Sequence, residues 1–343
     1  MPHAIKYSSI SISCLWNVLS ITSFWAVCLF PDIFRNINVN NDFEISPGKS
    51  RVDEMDVDDG FPSISPVVSV GSCLALAFLY VSSLYIWTYE HNRDHPTTVK
   101  KRFCSVFFVM LISPIFVYLF SSKELFDKAS LSEAMGFRRK GLISAVCIPL
   151  LHTAVLFLGP LTIQILNGSW KAFLDKNYWI GCFTNVLWLR NHIVAPISEE
   201  FTFRASMMPL LMQSFAPLKA VFITPLFFGV AHFHHMVDRI RNGMELKTVI
   251  IVSCFQFAYT TIFGFYSAYL FARTGHFAAP FVAHAFCNHM GFPEVQELIQ
   301  QEQRRRNILI GIYVLGLSGW ILLMPIVTNP SWYGNDLWLN WDR

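Results

Sequence analysis

The feature that most constrains this chain is a series of apolar runs, each long enough to cross a bilayer. Pro66 to Trp87, Leu142 to Leu166, Thr248 to Phe271 and Leu309 to Val327 all approach or exceed the ~20 residues that a helix needs to span ~30 Å of hydrocarbon. A backbone in that layer has no water to bond with, so such runs fold as helices. Charged residues make up 14% of the chain and mean hydropathy is +0.42, whereas soluble domains carry about 25% charged residues. The expected fold is therefore all-α, a multi-pass integral membrane helical bundle of about eight membrane helices. A net charge of +3 is too small to point to nucleic acid.

Three regions are expected. Residues 1–65 are an N-terminal extension, with an apolar run from Ser11 to Phe30 that reads as a first membrane helix or signal anchor. No small-x-small cleavage site precedes Pro31. An acidic linker containing Asp53, Glu54, Asp56, Asp58 and Asp59 follows. Residues 66–335 form the membrane domain, and 336–343 a C-terminal tail. Phe107 to Phe120 is a short run, suited to a tilted or half-spanning helix. Pro149 and Pro160 mark kinks, and Ala220 to His232 and Phe277 to Met290 read as further helices. Both loops flanking the 107–120 run are basic, which leaves orientation open under the positive-inside rule. Asn167-Gly168-Ser169 is a glycosylation sequon that is usable only on the lumenal side. The eight cysteines are scattered without a Cys-x-x-Cys pair and read as small core residues.

Against this apolar background stands Glu199-Glu200-Phe201-Thr202-Phe203-Arg204. One charged group at the centre of a bilayer costs about 2.5–3.5 kcal/mol. Three within six residues must pair, line a wet cavity or do chemistry. Glu200 and Arg204 lie four apart and can pair on a helix; a buried salt bridge explains them and leaves Glu199 unexplained. If Pro196 opens the helix, both glutamates fall in its first turn, where the helix dipole favours their ionised forms. Downstream, Phe228 and His232 are one turn apart, as are His284 and Asn288. Two neutral donors at that spacing can aim at one developing oxyanion. The plainer reading of each pair is a packed histidine or an interhelical hydrogen bond. All three motifs together are hard to attribute to packing, and the expectation is one intramembrane polar catalytic cavity.

Glu-Glu-x-x-x-Arg at 199–204, Phe-x-x-x-His at 228–232 and His-x-x-x-Asn at 284–288 resemble, in order and spacing, the motif set of the CAAX protease and bacteriocin-processing family. Trp188-Leu189-Arg190-Asn191, Phe227 to His235 and Arg273-Thr274-Gly275-His276 are similar to its eukaryotic, Ras-converting branch. The resemblance covers about residues 66 to 335. It implies a membrane endopeptidase of the endoplasmic reticulum with an active site accessible from the cytosol. Its substrates would be prenylated CaaX proteins, Ras- and Rho-type small GTPases, from which it removes the aaX tripeptide. By resemblance, Glu199 and His232 activate water, His284 and Asn288 form the oxyanion site, and Glu200, Arg204 and Phe228 support them, with no metal or other cofactor. The bilayer is the expected surrounding, and nucleic acid is not an expected partner.

Rival readings are a zinc-dependent intramembrane metalloprotease, a thiol protease using Cys287, and a non-enzymatic scaffold or transporter. No His-Glu-x-x-His occurs to favour zinc. Cys287 lies about 100° round its helix from Asn288, so the two do not share a face. No inverted repeat favours transport.

Overall fold

The computed structural model describes residues 63–87, 91–293 and 295–338. Every regular element among them is helical. The expected 1–30 segment and most of the acidic linker lie outside the described residues. The main helices are α1 (Pro66–Ser83), α2 (Pro96–Phe120), α3 (Leu142–Leu156), α4 (Leu158–Leu166), α5 (186–212), α6 (Pro217–Ala231), α7 (His234–Arg241), α8 (Leu246–Thr274), α9 (Ala278–Met290) and α10 (Gln303–Val327).

Five spans among the described residues are long and apolar enough to cross a membrane: α1, α2, α6 continued through α7, α8 and α10. The pair α3 and α4, bent by 77°, makes a sixth if it is counted as one span. The count of about eight is not confirmed among the described residues, and two further helices fall short of a span for physical reasons. At 13 residues, α9 is only about 20 Å long. The helix α5 is long enough but carries Arg190, Glu199, Glu200 and Arg204. These two irregular members hold two of the three polar motifs, and the third lies at the C-terminal end of α6.

The 107–120 run is longer in the fold than its apolarity suggests. His95 caps α2 by accepting from the Thr97 N–H, and Pro96 starts the helix, so the basic residues Lys100 to Arg102 form its first turns. The bend between α3 and α4 falls at Phe157. Pro160 sits in the first turn of α4, where its missing N–H costs nothing; Pro149 is accommodated inside α3.

The core is built on the second half of α5. Phe203, Ala205, Met207, Met208, Leu210 and Leu211 are all 0–1% exposed and pack with Cys73, Leu76 and Tyr80 of α1 and Val221 and Phe228 of α6. The outer faces are apolar as well: Phe107, Phe108, Leu111 and Ile115 on α2 and Val314, Leu315 and Leu322 on α10 are exposed, as lipid-facing surfaces must be. Three of the six described cysteines, Cys104, Cys147 and Cys254, share that exposed setting rather than the core expected for them.

Cross-contacts sort the loops into two ends of the bundle. At one end the Ile64 N–H donates to the Gln213 carbonyl, Arg138 to the Tyr333 carbonyl, and the Phe277 N–H to the Gly136 carbonyl. At the other, the Tyr85 hydroxyl donates to the His234 carbonyl, Arg190 to Asp94, and Asn167 to Glu297.

Candidate active site

Residues 186–212 form one helix in which the hydrogen-bonding pattern changes four times. Two π-helical turns, Arg190–Val194 and Phe201–Ser206, bracket the α-helical turns Ala195–Glu200. The backbone stays helical through every junction. Pro196 therefore does not open the helix, and the glutamates sit in its middle rather than in a first turn. The helix dipole therefore does not favour their ionised forms, and side-chain partners surround them instead. The wide turn before Pro196 is what lets the proline sit inside a helix without its usual clash.

Glu200 is fully buried and saturated. Its Oε1 accepts from Arg204 Nη1 at 3.2 Å and from His284 Nδ1 at 2.7 Å, and its Oε2 accepts from the Ser267 hydroxyl at 2.5 Å. Arg204, also 0% exposed, donates its second arm to the Gly264 carbonyl at 3.3 Å. Gly264 permits this close approach: a Cβ there would stand 2.9 Å from Pro225 and 3.3 Å from Arg204. The Arg204 guanidinium also lies 4.5 Å from the ring centre of Phe228, a cation–π contact that counts for more when desolvated.

Glu199 occupies the adjacent face, 18% exposed, with Oε2 3.7 Å from His284 Nε2. His284 thus stands between the two carboxylates. Its ring is fixed by Phe263, with centroids 4.7 Å apart. Glu200 is balanced by Arg204. Among the described residues the one ion-pair neighbour of Glu199 is His284.

His232 caps α6. Its Nδ1 lies 2.7 Å from the Phe228 carbonyl, which can only accept, so Nδ1 carries the proton and Nε2 of the neutral ring keeps its lone pair. The ring packs on Phe228 at 4.5 Å, and Phe228 in turn faces His284 at 6.4 Å. Phe228 is the hub through which Arg204, His232 and His284 are held.

Asn288 departs from the expected paired arrangement with His284. His284 Nδ1 is taken up by Glu200, and Asn288, one turn on and exposed, donates through Nδ2 to the Asn191 carbonyl at 2.8 Å. That carbonyl is stranded for a sequence reason: the Ala195 N–H bonds to the Arg190 carbonyl across the π-turn, and Pro196, next in line, has no N–H. One amide hydrogen of Asn288 is thereby anchored, and a second is available.

Ser267, Gly264 and Phe263, which position Glu200, Arg204 and His284, are invisible in the sequence, where they are ordinary small or aromatic residues of an apolar helix. The same holds for Tyr80, whose hydroxyl is 3.1 Å from that of Ser198, next to Glu199. Among the described residues no three His, Cys, Asp or Glu side chains converge as a metal-holding group. Cys287 lies on the same turn as Asn288 and is half-buried.

The fold and the buried polar centre define a polytopic helical membrane protein with paired carboxylates inside the bundle. Residues 181–290, which include all three motifs, match the family model described as type II CAAX prenyl endopeptidase Rce1-like. The chain is 43% identical over 283 residues to human CAAX prenyl protease 2, covering 80% of this chain and 85% of that protein. It is 38% identical over 282 residues to the rat protein of the same name, covering 80% and 84%. It is 30% identical over 310 residues to the Arabidopsis thaliana one, covering 80% and 98%. No solved structure matches it significantly. This chain belongs to the CAAX prenyl endopeptidase family and is a multi-pass membrane peptidase.

Proposed function

We propose that this enzyme removes the aaX tripeptide from prenylated CaaX proteins, Ras- and Rho-type small GTPases among them, at the cytosolic face of the endoplasmic reticulum. The observation that carries this reading is His284 held between Glu199 and Glu200, with Glu200 neutralised by Arg204. Among the described residues no hydrogen bond occupies the Glu199 carboxylate, which suits a base that must accept a proton from water.

In this reading Glu199 takes one proton from water while His232 Nε2 accepts a hydrogen bond from the other O–H and aligns it. The water oxygen bonds to the scissile carbonyl carbon. The resulting oxyanion is met by the free amide hydrogen of Asn288 and by the Nε2 side of His284. The C–N bond then breaks as Glu199 returns its proton to the leaving amine. The prenyl chain brings the substrate to this depth, since each buried CH₂ contributes about 0.8 kcal/mol of membrane affinity.

The charge distribution supports this orientation. The end of the bundle that carries Asn191, His232 and Asn288 also holds Arg93, Lys100 to Arg102, Lys171, Lys176, Arg190, Arg239, Arg241, Lys247 and Arg304 to Arg306. The opposite end holds Lys123, Lys128, Arg138 to Lys140, Lys219 and Arg273. The positive-inside rule turns the richer end to the cytosol. The test is cleavage of a farnesylated CaaX peptide by purified protein. Wild type should release the tripeptide, and Glu199→Gln, which cannot accept a proton, should not while keeping its thermal stability. An active Glu199→Gln overturns the glutamate-base reading.

A further inference from the structure

An enzyme that cuts three residues from a chain end must measure its distance from that end, and the end is a carboxylate. We propose that Arg239 is the receptor for the α-carboxylate of the substrate, and so sets where the cut falls; this inference rests on the tripeptide-releasing activity proposed above. Arg239 lies on α7, at the end of the bundle that carries Asn191, His232 and Asn288. Its guanidinium donates to the Ser253 hydroxyl at 2.8 Å and to Gln256 Oε1 at 2.6 Å. Both partners are neutral and nearly buried, at 2% and 8% exposure.

Two carboxylates at this end have other partners. Asp94 takes Arg190 and Arg93, and Asp238 faces His235. Arg239 makes no ion pair among the described residues. A half-buried guanidinium aimed by two neutral side chains, with further N–H groups unspent, is a ready fork for a carboxylate.

The spacing fits the substrate. Ser253, Gln256, Phe263 and Ser267 recur at helical periodicity on one face of α8. At one end of this stripe Ser267 holds Glu200 and Phe263 packs on His284. At the other end Ser253 and Gln256 hold Arg239. From Phe263 to Gln256 is seven residues, about 10 Å along the helix. Three extended residues also reach about 10 Å. Tyr259 stands between, within electrostatic reach of both Arg239 and Glu199, and its ring packs on Phe292 at 4.9 Å, an apolar wall beside which the aaX side chains would lie.

The experiment compares a farnesylated CaaX peptide bearing a free C-terminal carboxylate with the same peptide as its carboxamide, in wild type and in Arg239→Gln. Wild type should favour the carboxylate by on the order of 10- to 100-fold in kcat/KM, the scale of a charge-assisted fork. In Arg239→Gln that ratio should fall to within about threefold of unity, with carboxamide cleavage nearly unchanged, which also shows that the variant is folded. Arg239→Lys should retain an intermediate ratio. A wild-type ratio near one, or a ratio unchanged in Arg239→Gln, overturns the inference. If Arg239→Gln does not fold, Gln256→Ala decides: KM should rise for the carboxylate peptide alone, and an equal rise for both peptides overturns it. Wild type that cleaves neither peptide overturns the functional reading and this inference with it; the other outcomes bear on Arg239 only.

Discussion

The side-chain amide of Asn288 donates to the main-chain carbonyl of Asn191 at 2.8 Å, and Pro196 is the reason that carbonyl is there to be met. The bond clamps the end of α9 to the wide turn of α5 and fixes the direction of the remaining amide hydrogen. A donor that is fixed before the reaction loses nothing in reorganisation when the oxyanion forms.

Asn288→Ala should therefore lower kcat by about a hundredfold or more, with a smaller change in KM. Asn288→Asp should be at least as damaging, because its carboxylate faces both the Asn191 carbonyl and the developing oxyanion. Steady-state kinetics on a farnesylated peptide, run with and without a zinc chelator, checks both points. Chelation should leave wild-type turnover intact. An active Asn288→Asp that loses its activity on chelation would point to a metal centre instead.

Glu200→Gln should harm stability more than Glu199→Gln does. It removes the carboxylate that forms an ion pair with a fully buried Arg204, and stranding one member of a buried pair costs about 3–5 kcal/mol. Thermal unfolding in detergent measures this directly. Equal midpoints for Glu200→Gln and wild type would show that the pair contributes nothing.

Cys287→Ser should keep most of the activity. The thiol shares a turn with Asn288 but lies about 100° round the helix from it. Turnover and a melting curve on the same sample suffice; a well-folded, inactive Cys287→Ser would restore the thiol mechanism.

Asn167 should carry no glycan despite its sequon. It leads out of α4 at the same end of the bundle as Asn191 and Asn288, where it donates to Glu297. If that end is cytosolic, glycosidase treatment should leave the mobility of the protein unchanged. A sequon introduced near Ser130, at the opposite end, should be modified. The reverse pattern would invert the proposed topology.

Much of this centre is legible in the residues alone. The Glu200 and Arg204 pair follows from four-residue spacing, and the convergence of 199–204, 228–232 and 284–288 follows from the cost of scattering charge through an apolar bundle. What spacing cannot show is division of labour. His284 and Asn288 share a helix face, yet one is drawn inward by Glu200 and the other sideways by a backbone carbonyl; the choice depends on which acceptors the neighbouring helix presents. Pro196 misleads for a similar reason. A proline normally marks a helix start, and no residue pattern announces the π-turn that lets it sit within one. Among the described residues α5 and α9 do not register as spans, because α5 trades apolarity for chemistry and α9 is short. Ser267 and Gly264 gain their meaning only from contacts 67 and 60 residues away in sequence.

The two π-turns of α5 carry a further consequence. Each closes a hydrogen-bonded ring one residue larger than the α-helical one, so each adds a residue of phase, about 100° of rotation. The glutamate segment is thus set at its own azimuth, independent of the packing that fixes Met207–Met212 below it and the Trp188 region above. Deleting one residue from 190–194 or from 201–206 would keep the composition of the helix nearly intact and swing Glu199 and Glu200 away from His284. The orientation of the centre is written in the length of these turns as much as in the identity of its side chains.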